Sequence, residues 1–259
     1  MIRPFRHDDA EAVLALTRSV LPLRVETVAS VLWEAARARV LVAEAPAGIV
    51  GVARVRGRKL ALGVAPQARR QGIGTALWDA AETIAGGVET CWVVDGNGIE
   101  FVRARGFVPT RRVLCSALDL RTATEPTVTP PPGVQLVRWS ELGAPPAELE
   151  ADEHTAAPHL RPDGSFAALD DGRPVAYALL AADERGVGES QYTFTLPSHR
   201  GRGFATLCKH AVIAWAAEHG LRLLVAANDA ENTAMLEVNR RLGYRERQVQ
   251  TTLVRAGAK

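Results

Sequence analysis

Sulfur and aromatic rings are scarce in this 259-residue chain, which carries three cysteines, two methionines and 5% Phe, Trp and Tyr. Cys91, Cys115 and Cys208 are odd in number and lie among apolar residues, so no disulfide framework is written here. The thiols read as reduced and structural, as in a cytoplasmic protein. Long apolar runs are missing too. Met1-Ile2-Arg3-Pro4-Phe5-Arg6 lacks the apolar stretch of a secretion signal, and no uncharged apolar segment of 18 residues follows, so no membrane span is expected. Charge of one sign is also lacking: 31 Lys and Arg against 29 Asp and Glu leave a net +2, too mild for a nucleic-acid-binding face. Several catalytic signatures are absent as well. Without Gly-Lys-Ser/Thr there is no Walker loop, and without Gly-x-Ser-x-Gly there is no hydrolase elbow. No His-x-x-x-His or paired cysteines accompany Asp152, Glu153, His154 and His159, which excludes the common zinc patterns.

What the chain has is a segment written twice. Val64-Ala65-Pro66-Gln67-Ala68-Arg69-Arg70-Gln71-Gly72-Ile73-Gly74 returns as Thr195-Leu196-Pro197-Ser198-His199-Arg200-Gly201-Arg202-Gly203-Phe204-Ala205, with Pro66, Arg69 and Gly72 each recurring 131 positions later. A period of that length marks a duplicated domain rather than a solenoid unit. The 47% hydrophobic content gives each half enough apolar side chain for a core. The Pro-rich stretch 124–132 reads as an extended linker, so the expected domains are 1–123 and 133–259.

In the first half the periodicity predicts helices over Asp9 to Leu21 and Val25 to Ala38, then a hairpin of Val40 to Glu44 with Ile49 to Val55. Strand Leu60 to Val64, helix Gly74 to Ala85, strand Cys91 to Val94, helix Ile99 to Arg105 and strand Val113 to Leu120 follow. The second half repeats the order: Gln135 to Val137, a helix about Ala147 to Thr155, and the hairpin Phe166 to Leu169 with Val175 to Ala181. Strand Ser190 to Leu196, helix Phe204 to His219, strand Leu223 to Ala226, helix Ala230 to Leu242 and strand Gln248 to Val254 complete it. Each half is thus expected to be an α/β sandwich.

Each repeated segment joins a strand to a helix through a proline turn, a basic cluster and spaced glycines. That arrangement presents consecutive backbone N–H groups and a helix N-terminus to a phosphate or pyrophosphate. A dinucleotide fingerprint needs a third glycine where Leu77 and Cys208 stand, so a Rossmann site is not what is written.

The two segments resemble the acyl-CoA pyrophosphate loop of the GNAT N-acetyltransferase superfamily, Gln/Arg-x-x-Gly-x-Gly/Ala. Arg69, Gly72 and Gly74 carry it in the first copy, and Arg200, Gly203 and Ala205 in the second. The superfamily's Asn-containing last helix closed by Gly-Phe is matched by Asp95 to Gly106-Phe107 and by Asn232 to Gly243-Tyr244. The resemblance covers nearly the whole chain and is similar in layout to tandem GNAT proteins of the actinobacterial kind. It implies two tandem GNAT folds, each a mixed, mainly antiparallel sheet flanked by helices. It also implies acyl transfer from acetyl-CoA to the primary amine of a small molecule, by direct attack in a ternary complex.

The resemblance assigns cofactor binding to Val64, Arg69, Arg70, Gln71, Gly72, Ile73, Gly74 and Thr75 in the first copy. In the second it assigns Thr195, Leu196, Arg200, Gly201, Arg202, Gly203, Phe204, Ala205, Asn228 and Asn232. Backbone N–H groups near Thr195 and Leu196 are expected to polarise the thioester carbonyl.

Some members carry a glutamate base 11 residues ahead of the loop's first Gln/Arg, and here that is Glu189, against Arg58 in the first copy. An arginine accepts no proton, so the second copy is expected to be catalytic and the first degenerate. The family's thiolate-protonating tyrosine is replaced by Val102 and Asn239, which leaves Tyr192, Tyr244, water or protonation after release. Asn232 and Asn239 lie seven residues apart, a spacing that places both amides on one helix face, unless Asn232 caps the helix instead. The catalytic candidates are Glu189, Tyr192 and Asn239. Asp152 and Glu153 form a candidate lid for an ammonium group, and no metal site is expected. Two other readings stay open at this point: a non-catalytic acyl-CoA sensor or scaffold, and catalysis in the first copy.

Overall fold

Alternating apolar runs cut by glycine and proline turns build a sheet with helices against it, twice. The computed structural model describes residues 1–94, 98–123, 128–142 and 158–257. The first unit begins with β1 (Ile2–Pro4), α1 (Ala10–Val20) and α2 (Val28–Ala35). Ala10, Val13, Leu14 and Thr17 recur at helical spacing and are all buried, so α1 turns one apolar face to the core. Thr27 starts α2 by accepting the Ser30 N–H at 3.2 Å.

Next come β2 (Arg39–Ala45), β3 (Gly48–Arg56), β4 (Lys59–Val64), α3 (Ile73–Ala85), β5 (Thr90–Val94) and α4 (Ile99–Arg103). The sheet order is β1-β2-β3-β4-β5, antiparallel except for the β4/β5 pair. After β6 (Phe107–Asp119), the second unit runs β7 (Val134–Arg138), β8 (Phe166–Asp170), β9 (Arg173–Ala182), β10 (Val187–Thr195) and α5 (Phe204–Glu218). It continues with β11 (Leu223–Asp229) and α6 (Thr233–Arg241), and the last strand is β12 (Arg245–Arg255). Its strands follow the order β11-β10-β9-β8-β7, again antiparallel apart from one parallel pair, β10/β11. Val175 to Ala182 of β9 are all buried, which marks it as the centre of that core.

The compact units are Met1–Leu114 with Gln248–Lys259, and Cys115–Arg247. These bounds differ from the division expected at residues 124–132. Strand β6 is longer than the expected Val113 to Leu120, and it passes from the first unit to the second between Leu114 and Cys115. The end of β12 belongs to the first unit, where Gln250 to Val254 pair antiparallel with β5 and Leu253 is fully buried in the core. A proline-rich stretch announces an extended segment, but pairing and burial decide which sheet a strand joins. The helix expected about Ala147 to Thr155, the cluster Asp152, Glu153 and His154, and the residues Asp95 and Asn97 all lie outside the described residues.

Candidate active site

Both repeated segments fold into the same cradle. Pro66–Ala68 and Pro197–His199 each form one 3-10 turn, and the chain then enters α3 and α5 through Gly72 at φ +79° and Gly203 at φ +86°. Two residues earlier it is left-handed again, at Arg70 (φ 61°) in the first unit and Gly201 (φ 75°) in the second. This alternation aims successive N–H groups to one side, in front of a helix N-terminus. Arg70 accepts a conformation that strains a side-chain-bearing residue by roughly 1–2 kcal/mol, so the cradle geometry persists even where glycine is missing. A Cβ on Gly72, Gly201 or Gly203 would meet nothing within 4 Å, which leaves the cradle mouths open.

Arg69 Nε donates to Val64 O at 3.1 Å and Arg200 Nε to Thr195 O at 3.2 Å. The first basic residue of each cradle therefore clamps the strand end to the turn. Arg202 is tied to Asp170 at 2.8 Å, with His199 at 3.7 Å from the same carboxylate oxygen. In the first unit, Thr75 Oγ1 accepts from Arg105 at 3.3 Å, and Gln71 donates to Gln67 O at 3.2 Å.

Behind each cradle the parallel strands pair only at their beginnings. The β4/β5 pairing runs from Lys59↔Thr90 to Leu60↔Cys91, and the β10/β11 pairing from Val187↔Leu223 to Glu189↔Val225. Beyond those positions the two strands of each pair share no ladder partners among the described residues. The result is a wedge that opens toward the cradle, and Glu189 stands at its apex. The wedge is edged by backbone groups. The Leu196 N–H, however, donates to Val175 O at 2.9 Å, so its expected oxyanion role is lost to the sheet. Alternation along the strand turns the Thr195 N–H the opposite way.

The counterpart of Glu189 in the first unit is not Arg58. A β-bulge between Ser190 and Tyr192 inserts Gln191 into β10, so counting back along the pairing with the preceding strand matches Glu189↔Ala181 to Lys59↔Arg56. Arg58 lies one residue earlier, with Nε donating to Gly87 O at 2.9 Å and an ion pair to Glu89. Both residues are basic, so the first unit lacks a carboxylate at the apex either way.

The amides of α6 divide. Asn232 is the exposed N-cap, its Oδ1 accepting the Met235 N–H at 3.1 Å, so the capping alternative holds. Asn239 is 2% exposed, and its Nδ2 donates to Asn228 Oδ1 on β11 at 2.6 Å. The structure thus brings Asn228 and Asn239 together and leaves Asn232 apart. Asn239 Oδ1, Thr195 Oγ1 and Tyr244 Oη are buried without hydrogen-bond partners among the described residues. Tyr192 stacks on Tyr177 with ring centroids 5.9 Å apart, and Trp139 and Phe194 extend the aromatic group. The buried thiols of Cys91 and Cys208 are both pushed up to about 12 by desolvation, which makes neither a nucleophile at neutral pH.

One pair escaped the sequence reading. Lys209 on α5 is 2% exposed and donates to Ser190 Oγ at 2.6 Å, and its Nζ lies 5.4 Å from the Tyr244 ring centre. Burial pushes its ammonium down to about 8 and drives the Tyr244 phenol upward. Superposing the two copies at their period of 131 would have exposed it, because Trp78 stands at the position of Lys209.

A strand-to-helix anion cradle beside a wedge of splayed parallel strands, made twice, is the architecture of an acyl-CoA-dependent transferase. The chain belongs to the GNAT acetyltransferases: the acetyltransferase (GNAT) family model matches residues 134–244, and an acetyltransferase (GNAT) domain model matches residues 36–109. A mycothiol acetyltransferase of Rhodococcus erythropolis is 27% identical over 223 residues, 74% of either chain. The fold is also that of a tandem GNAT protein from the clavulanic acid biosynthesis pathway, with TM-score 0.78 at 22% identity over 100% of this chain and 99% of the other. A GCN5-related N-acetyltransferase from Sphaerobacter thermophilus follows at TM-score 0.72 and 17% identity, over 98% and 94% of the two chains.

Proposed function

We propose that the chain transfers the acetyl group of acetyl-CoA to a primary amine of a small molecule, by direct attack in a ternary complex, and that the second unit does the chemistry. The observation that carries this reading is Glu189 at the apex of the β10/β11 wedge, where the first unit has Lys59. Acetyl-CoA supplies the activated thioester. The cradle N–H groups of Gly201 to Ala205 hold its pyrophosphate, Thr195 and the Asn228–Asn239 pair meet its amides, and Glu189 accepts the proton of the amine. Holding both reactants in one wedge supplies much of the rate. With Asn239 buried and bonded at the tyrosine position, proton delivery to the departing thiolate falls to Tyr244, Tyr192 or water. The first unit keeps an open cradle and serves as a structural or acyl-CoA-retaining partner.

The acceptor panel spans small amines, amino sugars, amino acids and peptide N-termini, with the mycothiol precursor included because of the Rhodococcus relative. CoA release by the intact chain over that panel is expected, with Glu189→Gln lowering kcat by about 100-fold or more. Gly203→Glu is expected to abolish turnover while Gly72→Glu spares it. Activity lost only with Gly72→Glu would transfer the chemistry to the first unit.

A second reading draws support from Asn239 and Val102 at the tyrosine positions: a non-catalytic acyl-CoA sensor. Acetyl-CoA binding without CoA release across the whole panel would favour it. A cytoplasmic setting suits the buried thiols of Cys91 and Cys208, and no helix among the described residues is long and apolar enough to cross a membrane.

A further inference from the structure

Three equivalent core positions differ in kind between the two units. In the first unit they hold Leu60, Trp78 and Phe107, at 1%, 4% and 2% exposure, and the Trp78 and Phe107 rings meet edge to face at 5.4 Å. In the second unit they hold Ser190, Lys209 and Tyr244, at 7%, 2% and 3%. Trp78 and Lys209 both lie six residues into the helix after the cradle glycine, and Phe107 and Tyr244 both follow the glycine that ends the last helix. The bulge at Gln191 aligns Leu60 with Ser190. One scaffold is thus filled once with an apolar triad and once with a polar one. An apolar filling is available to this fold, yet the second unit buries an ammonium and leaves a phenol hydroxyl without a partner among the described residues. Buried groups of this kind cost stability, and they gather where function needs them.

Their place is specific. Ser190 is the residue after Glu189 and the last before the bulge, at the point where β10 leaves β11. Lys209 reaches it from α5, the helix whose N-terminus forms the cradle. We propose that Lys209, through its hydrogen bond to Ser190, is a positioning residue of the acyl-transfer site: it ties α5 to the bulge of β10 and so fixes the wedge and Glu189 relative to the cradle. This rests on the reading of the second unit as the acetyl-CoA-binding, catalytic one. Lys209 itself touches neither reactant. Its work is to hold the strand in a register that an apolar residue would leave to the sheet.

The test is calorimetric titration of acetyl-CoA into the full-length chain, in a Gly72→Glu background that closes the first cradle so that binding reports on the second unit. Lys209→Met fills the volume of the lysine stem without a donor, whereas Lys209→Gln keeps an N–H donor without the charge. Lys209→Met is expected to weaken acetyl-CoA binding by about tenfold or more, with a melting temperature unchanged or raised. Lys209→Gln is expected to recover most of that loss. Ser190→Ala should weaken binding like the methionine variant, and the two changes together should cost no more than either alone, since both remove one hydrogen bond.

Binding by Lys209→Met within about twofold of the reference overturns the inference. So does an equal loss in the methionine and glutamine variants that tracks a fall in melting temperature, which would make Lys209 a stability element only. If the Gly72→Glu reference itself binds no acetyl-CoA, the reading of the second unit fails and the inference falls with it. If that reference binds normally and Lys209→Met does too, the inference falls alone.

Discussion

At the scale of single residues, Lys209 makes the second unit's stability depend on pH. Its pKa is held near 8 in the folded chain, against an ordinary 10.5, because burial penalises the ammonium. Between those values the unfolded chain still binds a proton that the folded chain has released, so folding gains as pH rises through the window. At full extent the effect is worth about 3 kcal/mol. Below pH 8 both states carry the proton and the penalty is complete. Urea unfolding of the wild type and Lys209→Met should therefore show the methionine variant ahead at pH 7, with its advantage shrinking by about 3 kcal/mol at most as pH approaches 10.5. An advantage that stays constant over that range would mean the lysine is not buried as an ammonium. The same residue shows what composition hides. A lysine on a helix reads as a solvated face, and only its neighbour Cys208 and the tryptophan at the matching place in the other copy hint otherwise.

At the scale of elements, the cradle was legible because its chemistry is local. Proline sets the turn, glycine permits the left-handed steps, and the apolar helix that follows supplies the N-terminus, all within about a dozen adjacent residues. The two glycines at the start of α3 nevertheless do different work. Gly72 sits at φ +79° with open space around it, so Gly72→Ala pays only backbone strain, roughly 1–2 kcal/mol. Gly74 has no positive φ, and a Cβ there would rest 3.8 Å from Phe101 and Val64, an ordinary contact. Gly74→Ala, which copies Ala205 of the second unit, should raise the melting point slightly, by about 0.5–1 kcal/mol of stability. Opposite signs in thermal unfolding confirm the assignment, and equal losses refute it. What was not legible is the bulge at Gln191, because no glycine or proline marks it. It is visible only as a slip in pairing with β9, and it moves the partner of Glu189 from Arg58 to Lys59. The lost oxyanion role of Leu196 has the same origin, since the direction of a strand N–H depends on which neighbour it pairs with.

At the scale of the whole chain, the repeat identified two units but not where their strands go. An alternating strand declares which of its faces is apolar and leaves open which sheet will bury that face. For β12 the answer is split: Arg245 to Arg247 count with the second unit, and Gln248 onward with the first. Leu253 is fully buried in the first core, the Thr110 hydroxyl donates to Thr252 O at 3.4 Å, and the Ala256 N–H donates to Gly106 O at 2.8 Å. Arg255 donates to Val88 O at 2.8 Å and pairs with Glu82, which in turn accepts the Val88 N–H at 2.8 Å. A chain ending at Arg247 therefore removes a strand from the unit that is farthest away in sequence. Loss of Leu253 alone is worth about 2–5 kcal/mol, so the truncated chain should lose protease resistance across residues 1–114 first, while the 115–247 segment stays protected. Limited proteolysis with mass mapping reads this directly. Cleavage confined to 115–247 would show that the C-terminal strand belongs to the second unit after all. The same logic bears on any attempt to isolate the catalytic half. A fragment of residues 133–259 would carry a strand end meant for the other core and lack Cys115 to Asp119 of its own, so its inactivity would say nothing about the chemistry of the second unit.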